Sequence, residues 1–296
     1  MNQIVVPAPA KINLALDILG VRSDGYHEVE MIMQSISLHD NIIIKKKEEG
    51  IKLATSNLDL PEDENNIAYK AARLIIDKAE LTEGVDIYIE KNIPVAGGLA
   101  GGSTDAAAVL NGINMLYNLD LSEDELKKLA SKLGSDVPFC IRGGTALAYG
   151  RGEMIRQLPD IEKQYLVLVN PGISISTAWA YSEYDKGIQR LKIPGVPVDK
   201  LTSKLTTDKK INWAEGWFNV LEEVAESFYP EIIDIKELLN EMGAIFTLMS
   251  GSGSTVFAVV NNLETAGNIR ENWPRSDDYI TTAWTVKEDF SELWRK

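Results

Sequence analysis

The chain has 296 residues, which at roughly 100–200 residues per domain makes one large domain or two ordinary ones. Its 45% apolar and 25% charged residues are globular proportions, and the formal net charge of −14 argues against non-specific binding to nucleic acid or an anionic membrane, while leaving room for a small anionic ligand held by local donors. A single cysteine excludes an internal disulfide, and no apolar run approaches the ~18 residues of a membrane span, so the chain is expected to be soluble and cytoplasmic, with no transit peptide.

Ile12, Leu14, Leu16 and Ile18 alternate with Lys11, Asn13, Ala15 and Asp17, a period of two that predicts a strand with one buried face. The other face carries a lysine and an amide side by side. Ser23-Asp24-Gly25 breaks the pattern as a turn. Strand-like runs follow at Met31–Leu38 and Asn41–Lys47, and the basic run Lys45–Lys47, followed by Glu48-Glu49, is a solvated strand end or turn. Asn65-Asn66 can cap a helix that places Ile67, Ala71, Leu74 and Ile75 on one face. Val85, Ile87 and Ile89 alternate as a strand that runs into a glycine cluster, and Asp105–Tyr117 is Ala-rich and helical. Ser122 with Glu125 forms a capping box for a helix ending near Gly134. Cys140, in the apolar run Val137–Ile141, is expected to be a buried structural thiol, and with two histidines it offers no zinc-type ligand set.

The pattern pauses around Leu158-Pro159-Asp160. Tyr165–Val169 is a strand ending in Pro171-Gly172, and Leu191–Asp199 an exposed connection. Helical patterns cover 213–228 and 231–242, and strands Ile245–Met249 and Thr255–Val260 flank Ser250–Ser254. Strands and helices mix without a regular βαβ repeat, so the fold class is α+β. The pause near 155–162 marks the expected boundary between two domains, 1–158 and 159–296.

The glycine cluster is the strongest chemical signal. Pro94, Val95, Ala96, Gly97, Gly98, Leu99, Ala100, Gly101, Gly102, Ser103 and Thr104 join a strand to a helix. Glycines let backbone approach an anion closely, and the free N–H groups and dipole of a helix start favour phosphate. A tight strand–helix turn with close packing is the structural alternative; glycines at four positions, with Ser and Thr at the helix start, favour an anion. Gly97 and Gly102 have the spacing of the lysine P-loop, but Ser103 stands where the lysine belongs, and the dinucleotide G-x-G-x-x-G spacing is absent. The phosphates would then be held mainly by backbone amides and hydroxyls, with any cation supplied from elsewhere.

With this loop in place, the chain resembles the GHMP kinase superfamily in three motifs: Pro9-Ala10-Lys11-Ile12-Asn13-Leu14, the loop at 94–104, and Met249–Phe257. The segments Arg22–Glu28, Gly134–Phe139 and Asn170–Gly172 make it most similar, within the superfamily, to kinases whose acceptor is a cytidine-diphosphate-linked methylerythritol of the non-mevalonate isoprenoid pathway. The resemblance spans nearly the whole chain in order, loosening over 185–240. It implies an N-terminal nucleotide-binding β-α domain, a C-terminal ferredoxin-like substrate domain, an active site in the cleft between them, and transfer of the ATP γ-phosphate to the 2-hydroxyl of that acceptor. Ala100 stands where some members have glycine and Asp105 where some have asparagine. Asp105 would put a negative charge near the phosphates, so its side chain is expected to point away.

The resemblance also assigns roles. Asp136 alone could be the N-cap of the helix that Pro138 opens; the resemblance makes it the catalytic base. Lys11 alone could be an exposed strand lysine; the resemblance pairs it with Asp136, where a neighbouring cation keeps a carboxylate ionised. Tyr26 and His27, otherwise partly buried edge residues, would hold the cytosine by stacking and by hydrogen-bonding its edge. Tyr181 would cover its other face, Asn13 would hold the erythritol end, and Thr177 is a weaker candidate there. The loop at 250–254 is either a hairpin connection or a wall near the phosphates. ATP implies Mg2+, for which the sequence names no protein ligand. The rival readings are another kinase of the superfamily, acting on homoserine, mevalonate or a sugar, and a non-catalytic nucleotide-binding regulator.

Overall fold

The structure, a computed structural model, describes residues 1–187, 196–208, 211–288, 290 and 293. Two long strands begin it: β1 (Gln3–Val21) and β2 (His27–Lys47), antiparallel along almost their whole lengths. There follow β3 (Ile51–Thr55), α1 (Ile67–Lys78), β4 (Gly84–Glu90), α2 (Gly101–Tyr117), α3 (Glu123–Ala130), α4 (Val137–Arg142), β5 (Thr145–Gly150) and β6 (Met154–Gln157). The second half holds β7 (Tyr165–Asn170), α5 (Thr177–Asp185), α6 (Val198–Asp208), α7 (Val220–Phe228), α8 (Glu231–Glu241), β8 (Phe246–Met249), β9 (Val256–Val260), α9 (Leu263–Glu271) and β10 (Tyr279–Trp284).

β2 organises the first sheet. Residues 29–34 pair with β5 and residues 41–47 with β4 on the edge away from β1, giving the order β3-β4-β2-β5-β6 with β1 on β2. The second sheet is four-stranded and antiparallel, in the order β10-β7-β9-β8. Alternation along β7 divides its side chains between two cores. Val167 and Val169 share a core with Ile232, Ile235 and Ile269 of α8 and α9. Leu166 and Leu168 pack with Ile12, Leu14 and Ile32 of the first sheet. The halves of the chain are therefore joined by a buried apolar layer, and burial of each aliphatic side chain there contributes about 1.5–3 kcal/mol. Among the described residues no helix is long and apolar enough to cross a membrane.

Several expectations need correction. Met31–Leu38 and Asn41–Lys47 are one strand: Asp40, a residue able to turn a chain, instead stays paired with Ala8 and accepts from the Ile93 amide at 2.9 Å. The helix predicted from Asp105 starts at Gly101, so two loop glycines lie in its first turn. The capping box at Ser122 is present, but its helix stops at Ala130. The helix predicted over 213–228 is broken: a 3-10 turn at Trp213–Glu215 ends at Gly216 in the left-handed region (φ 76°), and α7 begins after Asn219 caps it through the Leu221 amide at 3.0 Å. Of the connection predicted at Leu191–Asp199, residues 191–195 lie outside the described residues, and Val198-Asp199 already belong to α6. β3, β5, β6, β10, α5, α6 and α9 were not predicted from periodicity.

Candidate active site

Two cavities meet over the glycine loop. A cleft of about 530 Å3 is lined by Lys11, Asn13, Tyr26, His27, Asp136, Arg151, Thr177, Tyr181 and Asp185, among others. A second, of about 410 Å3, is lined by Ala96, Gly97, Gly98, Ala100, Gly101, Gly102 and Ser103 on one side and by residues 174–177 on the other. Gly98, Thr177 and Ser252 line both, so the two form one continuous site. Pro94, Val95, Leu99 and Thr104 do not line the second cavity: Leu99 and Thr104 turn their side chains into the interior, and Val95 faces outward.

The loop is fixed through its carbonyls. The Lys11 amide donates to Leu99 O at 3.1 Å and the Thr255 amide to Gly97 O at 3.3 Å, while the Ser250 hydroxyl donates to Gly98 O at 3.0 Å. With these carbonyls tied back, the first residues of α2, Gly101, Gly102 and Ser103, whose N–H groups have no intrahelical partner, line the cavity. Gly98 has φ 75°, and a Cβ there would press into the Ser250 carbonyl oxygen. Thus the hairpin loop 250–254 is both a β8–β9 connection and the wall against which the glycine loop closes. Asn219 braces that wall, donating to Met249 O at 2.8 Å and Gly251 O at 2.7 Å.

Asp105 does point away from the cavity. Its carboxylate is buried 2.8 Å from Lys91, which also pairs with Asp40. Burial pushes its pKa well above the ordinary carboxylate range, with Lys91 opposing that shift and Asp40 adding to it.

Lys11 and Asn13 sit in β1 between two register shifts, at Pro9/Lys11 and Asn13/Ala15. Bulges of this kind re-aim side chains, and here both point into the cleft. Neither is exposed as a strand's polar face would be: Lys11 is 4% and Asn13 0% accessible, because the 250–254 loop covers them. Lys11 Nζ donates to Asn13 Oδ1 at 2.7 Å and lies 3.7 Å from Asp136 Oδ2. Asp136 occupies the N-cap position of α4 with helical dihedrals and no side-chain capping bond, and Pro138 lies in the first turn. Its carboxylate is thus available to the cleft.

Thr177, Tyr181 and Asp185 recur at four-residue spacing on α5 and present one face to the cleft. Thr177 Oγ1 is 3.1 Å from Ser252 Oγ. Tyr181 is packed against His27, with ring centroids 4.8 Å apart and planes tilted by 39°. Burial first, and then the charge of Asp136, push its phenol above the ordinary range. His27 Nε2 is 2.9 Å from Asp185 Oδ1. Tyr26 stands at the turn, 56% exposed, with the Arg151 guanidinium 4.8 Å over its ring. The structure therefore gathers Tyr26, His27 and Tyr181 in one cleft, but the ring in contact with Tyr181 is that of His27.

Arg151, Asp185 and Asn219 were not singled out from the sequence. Arg151 stands between two left-handed glycines, Gly150 (φ 72°) and Gly152 (φ 100°), a tight turn presenting a cation, and that pattern was legible. Asn219 ahead of an apolar helical run was legible as a cap, though not as a brace of a distant loop. Nothing local marks Asp185.

The comparisons agree with this geometry. The model of the GHMP kinases N terminal domain matches residues 66–144, and that of the GHMP kinases C terminal domain residues 209–278. A 4-diphosphocytidyl-2-C-methyl-D-erythritol kinase of Acetivibrio thermocellus is 47% identical over 263 residues, 88% of this chain and 92% of that protein. One of Syntrophomonas wolfei subsp. wolfei is 47% identical over 272 residues, 92% of this chain and 94% of that protein. A crystal structure of 4-(cytidine 5'-diphospho)-2C-methyl-D-erythritol kinase superposes with a TM-score of 0.78 at 31% identity, over 95% of this chain and 99% of that one. The glycine loop closed against the 250–254 hairpin, the Lys11–Asp136 pair beside it and these relatives over nearly the whole length agree: the chain is a kinase of the GHMP superfamily and belongs to its 4-diphosphocytidyl-2-C-methyl-D-erythritol kinase family.

Proposed function

We propose that this protein transfers the γ-phosphate of ATP to the 2-hydroxyl of 4-diphosphocytidyl-2-C-methyl-D-erythritol, in the non-mevalonate route to isoprenoid precursors. The observation that carries the reading is the Lys11–Asp136 pair, 3.7 Å apart in a cleft that opens directly onto the glycine loop. On this reading residues 1–158 form the nucleotide-binding lobe and 159–296 the substrate lobe.

ATP binds as a substrate, its phosphates on the amides of residues 96–103. Asp136 takes the proton of the 2-hydroxyl as that oxygen bonds to the γ-phosphorus. The bond from phosphorus to the β,γ-bridging oxygen breaks, and ADP leaves. Lys11, 3.7 Å from that carboxylate, stabilises charge on the reacting oxygens; phosphoryl transfer demands mainly such positioning and charge stabilisation. Asn13 fixes Lys11 and holds the erythritol, with Thr177 beside it. Tyr26 and Tyr181 provide aromatic surface for the base, and stacking is worth about 1–3 kcal/mol per base.

Ser103, which lines the phosphate cavity, would hold Mg2+ together with phosphate oxygens and water; among the described residues no cluster of three or more His, Cys, Asp or Glu could hold a metal. When bound, Mg2+ would neutralise phosphate charge. A regulator without activity would not need Lys11 and Asp136 together at this junction.

ADP release measured with the cytidyl acceptor, homoserine and mevalonate tests the reading. The expected result is a preference for the cytidyl acceptor of ~100-fold or more, since the others carry no base to stack. Equal or greater turnover of homoserine or mevalonate would overturn it.

A further inference from the structure

We infer that Asp185 is a positioning residue that sets the hydrogen-bonding sense of His27, and that the cleft thereby selects a cytosine over a uracil base. This rests on the function proposed above. Helix α5 presents Tyr181 and Asp185, one turn apart, to the same imidazole. The Tyr181 ring fixes its plane at a centroid distance of 4.8 Å, and Asp185 Oδ1 lies 2.9 Å from Nε2. A carboxylate accepts and does not donate, so Nε2 carries the proton in this contact. In the neutral ring Nδ1 then has a lone pair and no hydrogen. Among the described residues Nδ1 makes no hydrogen bond and is not a buried unpartnered atom, and His27 lines the cleft. The cleft thus presents an acceptor at the place where a base would be read.

Cytosine offers a hydrogen-bond donor there, its 4-amino group; uracil has a 4-oxygen instead, an acceptor facing an acceptor. A buried polar group left without its partner is penalised more than a made bond is rewarded. Asp185 is 42% exposed, and an ion pair so exposed adds little to stability. Its effect is therefore on orientation and tautomer, which the identity of the base reads out.

The test compares kcat and KM for the cytidyl acceptor and its uridyl analogue in the wild type, Asp185→Ala and Asp185→Asn, with CDP and UDP affinities measured by calorimetry. The wild type is expected to favour cytidine in both measurements. Asp185→Ala should narrow the preference by ~10-fold or more, with the loss in KM for the cytidyl acceptor. Asp185→Asn, whose side-chain oxygen can still accept from Nε2, should keep most of it. An unchanged preference in Asp185→Ala, or a parallel fall for both bases, would overturn the inference. A wild type that turns over the cytidyl acceptor but does not distinguish CDP from UDP would overturn it alone. A wild type that does not turn over the cytidyl acceptor would remove the underlying reading as well.

Discussion

Asp136 faces Lys11 at 3.7 Å and makes no side-chain cap to α4, so replacing its charge tests the chemistry with little cost to the helix. In Asp136→Asn, kcat is expected to fall ~10²–10⁴-fold, the usual contribution of a positioned base, while ATP affinity measured by calorimetry is retained. Unchanged turnover would remove Asp136 from the reaction. Tyr26 is exposed at its turn and carries no core packing. In steady-state assays Tyr26→Ala should lower kcat/KM for the cytidyl acceptor by ~5–150-fold, the equivalent of 1–3 kcal/mol of stacking. Cys140 is buried, and burial foremost pushes its thiol well above the usual range. Iodoacetamide is therefore expected to leave it unmodified in the folded protein and to alkylate it in denaturant, as followed by mass spectrometry; rapid labelling of native protein would place it elsewhere. At this scale the types and spacing of Lys11, Asn13 and Asp136 were visible in the sequence. Their burial was not, because the cover over Lys11 and Asn13 comes from Ser250, 237 positions beyond Asn13.

Among the elements, the contact between the glycine loop and the 250–254 hairpin matters most to the site. Gly98 is left-handed, and any Cβ would strike the Ser250 carbonyl, which is backbone and cannot swing aside. Gly98→Ala is therefore expected to destabilise the fold by roughly 1–3 kcal/mol in thermal or urea unfolding and to raise the KM for ATP. Gly172, also left-handed (φ 74°), has open space around it, so alanine there should have the smaller effect on ATP. Comparable ATP kinetics in the two variants would contradict the closure. Strands with clean alternation, such as β1 and β4, were legible because one periodic face predicts them whatever their neighbours. α2 began earlier than its apolar pattern because Gly101 and Gly102 hide a helical turn that propensity penalises. The break at Gly216 was hidden by the apolar side chains Trp217 and Phe218, which continue the pattern without continuing the helix.

For the whole molecule, the site depends on how the two halves meet. Leu166 and Leu168 of β7 pack on Ile12, Leu14 and Ile32 of the first sheet, which places the 250–254 hairpin over Lys11 and α5 over Asp136. The C-terminal segment ties back to the first half, where Arg142 pairs with Glu288 at 2.7 Å and Phe290 packs on Gly143. The mixed strand and helix content was legible in the sequence, but the order β3-β4-β2-β5-β6 was not, because β2 is shared between partners on the same edge and only tertiary packing decides where each docks. The outcome is a cleft that delivers one hydroxyl of the acceptor to the γ-phosphate. The 31P NMR spectrum of the product tests this directly. The carbon bearing the 2-hydroxyl carries a methyl group and no hydrogen, so phosphorylation there gives a monoester resonance without coupling to a proton on the attached carbon. That singlet, beside the resonances of ADP, is the expected result. A doublet or triplet, marking transfer to the 3- or 1-hydroxyl, or ADP formed with no new monoester, would contradict it.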